Sequence, residues 1–214
     1  MINFTKLYYD LLTNEYKGIN LTRITDYKEF QLKQIEDSIE PIKQSNVFKD
    51  SLFENKIMLD IGFGGGFPIL PIAYLHPDIK FLGIDTRSKK AKVVQEISGK
   101  LGLKNVNLHH LRLENLLIDR NITCTLKAVG KVNDFLNKFN TTKIIQVFFY
   151  KGPNFYIIEK DQIEMSKKKW EIIEEIEINL PGVEKRYLIG FQNKKVPYGT
   201  VKAKSNLVKL TDIL

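Results

Sequence analysis

Cysteine is nearly absent from this chain: Cys124 is the only one in 214 residues. A single thiol excludes an intramolecular disulfide and any Cys-rich zinc site. No N-terminal stretch has the pattern of a signal peptide, so the expectation is a reducing, cytoplasmic setting. No run approaches the roughly 18 apolar residues of a transmembrane helix. Internal repeats and low-complexity tracts are missing, which argues against a solenoid or a disordered polymer. What remains is ordinary for a soluble globule: 43% hydrophobic and 27% charged residues. The length suits one domain with a small appendage, large enough to bury a core unaided.

Acidic residues are in deficit. The chain carries 33 Lys and Arg against 25 Asp and Glu, a net charge of +8. The excess is uneven, with a net −1 over 1–56 and +4 over 121–160. From Lys185 to Lys209 there are seven basic residues and no acid. This bias favours a polyanionic partner, nucleic acid above all, although a lysine-rich surface alone does not establish one.

Residues 1–55 read as helical. Phe4, Leu7, Tyr8, Leu11, Leu12 and Tyr16 fall at helical spacing, with Gly18 as the stop. A second helix is expected from Thr25 or Asp26 to just before Pro41, and a third over Val47 to Phe53. The pattern then alternates. Strands are expected at 57–61, 81–84, 106–109, 122–129 and 144–150. Helices are expected at 67–75, 88–101 (Ser88 as N-cap) and 155–167. Trp170 to Leu180 and Arg186 to Phe191 flank Pro181-Gly182 as a hairpin. Such alternation predicts an α/β fold: a mostly parallel seven-stranded sheet covered on both faces, with an antiparallel hairpin at its end. From Gln192 onward an edge strand and a mobile tail are expected.

The sharpest motif is Leu59-Asp60-Ile61-Gly62-Phe63-Gly64-Gly65-Gly66-Phe67-Pro68. A strand enters a glycine-rich turn that opens a helix, where backbone amides can approach a ligand. The spacing Gly62-x-Gly64-x-Gly66 is tighter than the dinucleotide pattern, and an acid precedes it. Asp60 could hold a cation, directly or through water, which suits the ammonium of S-adenosyl-L-methionine better than a pyrophosphate. Asp85 ends the next strand, where a carboxylate can bind ribose hydroxyls. The reading is a class I (Rossmann-like) methyltransferase.

The chain also resembles the RsmG (GidB) family of 16S ribosomal RNA methyltransferases. Asp60, Gly62, Gly64, Gly66 and Pro68 match its glycine motif. Asn20-Leu21-Thr22 matches its N-L-T, and Asp37-Ser38 the end of its H-x-x-D-S. Asp85-Thr86-Arg87-Ser88-Lys89-Lys90, Arg112-Leu113-Glu114, Tyr150-Lys151-Gly152 and Pro181-Gly182 follow in the family's order. The resemblance implies transfer of a methyl group from S-adenosyl-L-methionine to N7 of the guanine at position 527, in the 530 loop of 16S rRNA. It implies a cofactor site that includes Gly62, Phe67, Leu113, Glu114 and Lys127, beside Asp60, Gly64 and Asp85. The implied partner is 16S rRNA, as a 30S subunit or an assembly intermediate, met by a monomer away from membranes. The implied organisation is a helical extension over 1–55, a methyltransferase domain over 56–192 and a basic segment over 193–214. Three positions depart from the family pattern: Gln34 in place of His, Lys127 in place of Arg, and Ile69 in place of Gly.

No general base is expected, because guanine N7 attacks through a lone pair and carries no proton. No metal site is expected either. His109-His110 lacks a second ligand pair and reads as structural, and Cys124 reads as core. Phe148, Phe149 and Tyr150 also read as core, whereas Phe63 and Phe67 are better placed to touch a base. Arg87, Lys89, Lys90 and Lys92 form a cluster that could meet RNA phosphate or simply be solvated. The residues leave two alternatives open: a class I methyltransferase with another acceptor, and a catalytically weakened RNA-binding homologue.

Overall fold

A computed structural model describes residues 1–194 and 207–214. Seven strands form the main sheet: β1 (Ile57–Ile61), β2 (Lys80–Asp85), β3 (Val106–His110), β5 (Thr123–Lys127), β7 (Gln146–Lys151), β8 (Trp170–Ile178) and β9 (Arg186–Asn193). Their order is β3-β2-β1-β5-β7-β9-β8. The first five are parallel, and β9 runs antiparallel to both β7 and β8. This is the mixed sheet with a terminal hairpin that the sequence predicts. Gly182, at φ 81°, lies in the turn that joins the hairpin. Strand order reverses between β1 and β5. A ligand crevice is expected at such a switch point, outside the carboxyl ends of the strands.

Alternate side chains of each central strand enter different cores, as a period of two requires. Met58, Phe81, Val106, Phe148 and Leu188 face one core. Leu59, Leu82, Cys124, Phe149 and Ile189 face the other. Helices α5 (Ile69–Leu75) and α6 (Ser88–Lys100) cover the first face. Helices α7 (Val132–Leu136) and α8 (Phe155–Ser166) cover the second. A small parallel sheet of β4 (Leu116–Ile118), β6 (Asn140–Thr141) and β10 (Val208–Lys209) adjoins it. The sequence pattern shows neither that sheet nor α7, because elements of two to five residues carry no readable period.

The first 55 residues are not a free-standing appendage. Helices α1 (Ile2–Asp10), α2 (Tyr27–Phe30), α3 (Asp37–Gln44) and α4 (Asn46–Asn55) bury Phe4, Tyr8, Phe30, Ile42, Phe48 and Leu52 in the same core as α5 and α6. Local details differ from the sequence reading. The first helix widens into a π-turn at Leu11–Glu15, and Asn20 at φ 52° takes the left-handed position expected of Gly18. Asp26 caps α2 by accepting from the Glu29 amide. The helix does not end before Pro41: it widens over Gln31–Glu36 and resumes through Pro41 to Gln44. A proline there removes one donor, but Pro41 is buried with Ile39 and Ile42, and that burial offsets the loss. Arg87, not Ser88, is the N-cap of α6. In the segment expected to hold an edge strand and a tail, residues 195–206 lie outside the described residues.

Among the described residues no helix is long and apolar enough to cross a membrane, and no group of His, Cys, Asp or Glu is arranged to hold a metal ion.

Candidate functional site

One cavity of about 820 Å³ opens at the carboxyl ends of β1, β2, β5 and β7. That volume lies within the range for small-molecule and cofactor sites. Seven of the eight site residues expected from the sequence line it: Gly62, Gly64, Phe67, Asp85, Leu113, Glu114 and Lys127. Asp60 does not; it lies behind the glycine turn, 1% exposed.

The turn is held by contacts that exclude side chains. Gly62 stands at φ 74°, and a Cβ there would lie 2.8 Å from Val129 Cγ1. At Gly65 a Cβ would lie 2.5 Å from the Leu21 carbonyl oxygen. The Gly62 amide donates to Ile84 O at 2.8 Å, locking the turn to β2. The Asp85 carboxylate accepts from the Gly64 amide at 3.1 Å and the Arg87 amide at 2.8 Å, so it is fixed at the crevice. Beneath, Thr125 donates to Asp60 Oδ1 at 2.9 Å, while Oδ2 has no hydrogen-bond partner among the described residues. Burial pushes the Asp60 carboxyl up to about 8, against the opposing effects of the Thr125 hydrogen bond and the Lys127 charge.

The N-terminal layer reaches this turn directly. Tyr8, fully buried on α1, donates its hydroxyl to Gly65 O and stacks on Phe67 with ring centroids 5.0 Å apart. Phe30 packs edge-on against both rings. Burial foremost, and the nearby Asp60 charge, raise the Tyr8 phenol well above its usual range, so it stays a neutral donor. Phe63 and Phe67 both border the cavity but are largely sunk in the core.

The opposite wall rises from the ends of β5 and β7. Lys151 donates to Gly130 O at 3.0 Å and pairs with Glu159 at 2.8 Å. The other Glu159 oxygen accepts from the Val132 amide at 2.8 Å. This buried pair ties the loop after β5 to α8. Burial pulls the Lys151 ammonium down, and Glu159 opposes that. Leu113 and Glu114 form a short 3₁₀ turn, with Glu114 paired to Lys138 at 3.2 Å.

At the far end, Asp37 receives two cations. Lys127 Nζ lies 2.8 Å from Oδ2, and Arg186 Nε lies 3.1 Å from Oδ1. Gln34, one turn earlier on the same helix, also lines the cavity. Tyr150 lines it too and donates to Ser38 O at 3.1 Å, so it is more than core filling. Arg186 escaped the sequence reading: a lone Arg at the start of a strand carries no motif. Asp37 and Lys151 stood in recognised motifs, but the sequence did not show that they share a cavity.

Elsewhere the core expectation holds for three side chains. Cys124, Phe148 and Phe149 are fully buried. Arg87 lines the cavity, and Lys90 reaches across to Asn20 O at 3.3 Å.

Residues 1–189 match the model of the GidB family, rRNA small subunit methyltransferase G. The chain is 31% identical over 198 residues to the ribosomal RNA small subunit methyltransferase G of Lactobacillus helveticus, covering 86% of this chain and 79% of that one. It is 29% identical over 199 residues to the protein of the same name from Streptococcus pneumoniae, covering 88% and 81%. Among solved structures, a magnesium protoporphyrin IX methyltransferase from Synechocystis with bound SAH superposes with a TM-score of 0.54 at 12% identity, covering 88% of this chain and 99% of that one. That likeness shows a shared fold and nothing finer.

Proposed function

The chain belongs to the rRNA small subunit methyltransferase G family, and we propose that it methylates N7 of the guanine at position 527, in the 530 loop of 16S rRNA, using S-adenosyl-L-methionine. The observation that carries the reading is the cavity at the switch point, which joins the glycine turn and Asp85 to a cationic far end.

The residues present fit the cofactor. Asp85, fixed by two amides, suits ribose hydroxyls. The unpartnered Asp60 Oδ2 behind the turn suits a water that reaches the ammonium, whose charge would draw the carboxyl toward its ionised form. Leu113 and Phe67 offer apolar surface, and Gly62 and Gly64 let the ligand approach the backbone. When bound, the cofactor supplies an electrophilic methyl group on a sulfonium. The protein's share is alignment. The wall of Gln34, Asp37, Lys127 and Arg186 would hold the base, while the glycine turn holds the donor. N7 bears no proton, so no side chain has to remove one. The buried Lys151–Glu159 pair fixes the loop between the two ends.

The partner proposed is 16S rRNA within a 30S subunit or an assembly intermediate, with a monomeric enzyme acting in the cytoplasm. Arg87, Arg112 and Lys33 at the rim give the cavity mouth the positive charge that RNA phosphates require. The division into an N-terminal layer over 1–55, a catalytic sheet over 56–192 and a basic segment over 193–214 belongs to the same proposal.

The test is transfer of labelled methyl to 30S subunits and naked 16S rRNA that lack the modification, with the labelled base mapped. Label at that guanine N7 is expected. Label at another base would overturn the assigned position, and cofactor binding without transfer would leave an RNA-binding relative.

A further inference from the structure

We propose that Asp37, with Lys127 and Arg186 beside it, is the group that reads the acceptor base as guanine. This rests on the rRNA methyltransferase reading and extends it to how the base is chosen.

Three acids line the cavity: Asp37, Asp85 and Glu114. Asp85 accepts from two backbone amides at the glycine turn, where it is assigned to the ribose, and Glu114 pairs with Lys138. Asp37 is the one acid at the far end, 6% exposed and placed between two cations. A carboxylate carries about four lone-pair sites, so one partner on each oxygen leaves acceptor capacity.

Guanine is the base whose Watson–Crick edge sets two donors, N1–H and N2–H₂, side by side next to an acceptor, O6. A carboxylate flanked by an ammonium and a guanidinium is the complement of that edge: acceptor facing two donors, donor facing O6. The Gln34 carboxamide, three residues before Asp37 on the same wall, has no side-chain hydrogen-bond partner among the described residues and adds a second donor for O6. N7 lies on the opposite side of the purine from N1 and N2. A base held by its Watson–Crick edge at Asp37 therefore turns N7 away from this wall, toward the glycine turn. Adenine would place an amino group against Lys127 and offer no N1–H to the carboxylate, so the same arrangement rejects it.

The experiment uses reconstituted 30S subunits whose 16S rRNA carries guanosine or inosine at the target position. Inosine keeps N7, O6 and N1–H but lacks the N2 amino group. Wild-type enzyme is expected to show kcat/KM about 10- to 100-fold lower on inosine, the loss of one hydrogen bond to a charged group. Asp37→Asn is expected to act on the two substrates within threefold of each other, at a rate on guanosine about 100-fold below wild type. Its affinity for S-adenosylhomocysteine should stay within twofold of wild type. Equal wild-type rates on both substrates would overturn the proposal without any variant being needed. So would discrimination that survives intact in Asp37→Asn. Failure to methylate the guanosine substrate at all would instead overturn the function it rests on.

Discussion

At one end of the cavity the wall is backbone: a turn of five residues, four of them glycine, whose amides and carbonyls are pinned to β2, to Asp85 and to Tyr8. At the other end the wall is side chains. Asp37, Lys127 and Arg186 come from three segments up to 149 residues apart in the chain and meet within 3.1 Å. The first end is rigid because its backbone is hydrogen-bonded and closely packed on several sides. The second is held by side-chain contacts, the two charge pairs and the bonds from the Arg186 guanidinium to the Glu184 and Lys185 carbonyls, so its geometry can change with one substitution while the fold stays. A common cofactor and an adjustable substrate need that division of labour.

The largest expected effect is at the backbone end. Gly65→Ala would drive a methyl group into the Leu21 carbonyl, where backbone cannot yield. A loss of about 3–4 kcal/mol of stability is expected, with cofactor binding abolished, as read by thermal unfolding and calorimetry. Retained binding would mean that the N-terminal layer sits loosely on the turn. Next is Glu159→Gln, which strips the partner from Lys151 inside the protein. Because Lys151 also borders the cavity, about 2–3 kcal/mol is expected, below the range for a fully buried pair.

Asp60 sharpens the comparison through pH. Its carboxyl is neutral in the folded protein up to about 8 but ionises near 4 when unfolded. Its favourable contribution is therefore complete below pH 4 and is lost as pH rises toward 8, by about 1.4 kcal/mol per pH unit. Asp60→Asn is predicted to flatten that slope in urea unfolding measured from pH 5 to 8. A slope unchanged by the substitution would show that other groups set it. The smallest effect is Tyr8→Phe, which keeps the stacking on Phe67 but removes the hydroxyl from Gly65 O. About 1–2 kcal/mol of stability and a several-fold rise in the cofactor KM are expected, with kcat little changed.

The same contrast explains what could be read from sequence. The glycine turn and Asp85 are legible because each follows a buried strand within a few residues, and local spacing dictates local structure. The sheet is legible because alternating strands and helices leave few topologies. Asp37, Arg186 and Tyr8 are not legible as site residues, since only the fold brings α1 onto the glycine turn and α3, the start of β9 and the end of β5 together. Pro41 misled because burial outweighed its usual effect on a helix, and β4, β6 and β10 are too short to show a period.

The most direct test is the dissociation constant of S-adenosylhomocysteine, measured by calorimetry, for wild type, Asp85→Asn and Asp37→Asn. If the two ends are built for different ligands, Asp85→Asn should weaken binding at least about tenfold and Asp37→Asn should leave it within twofold. Equal losses in both variants, or a loss confined to Asp37→Asn, would contradict the division of the cavity into a cofactor end and an acceptor end.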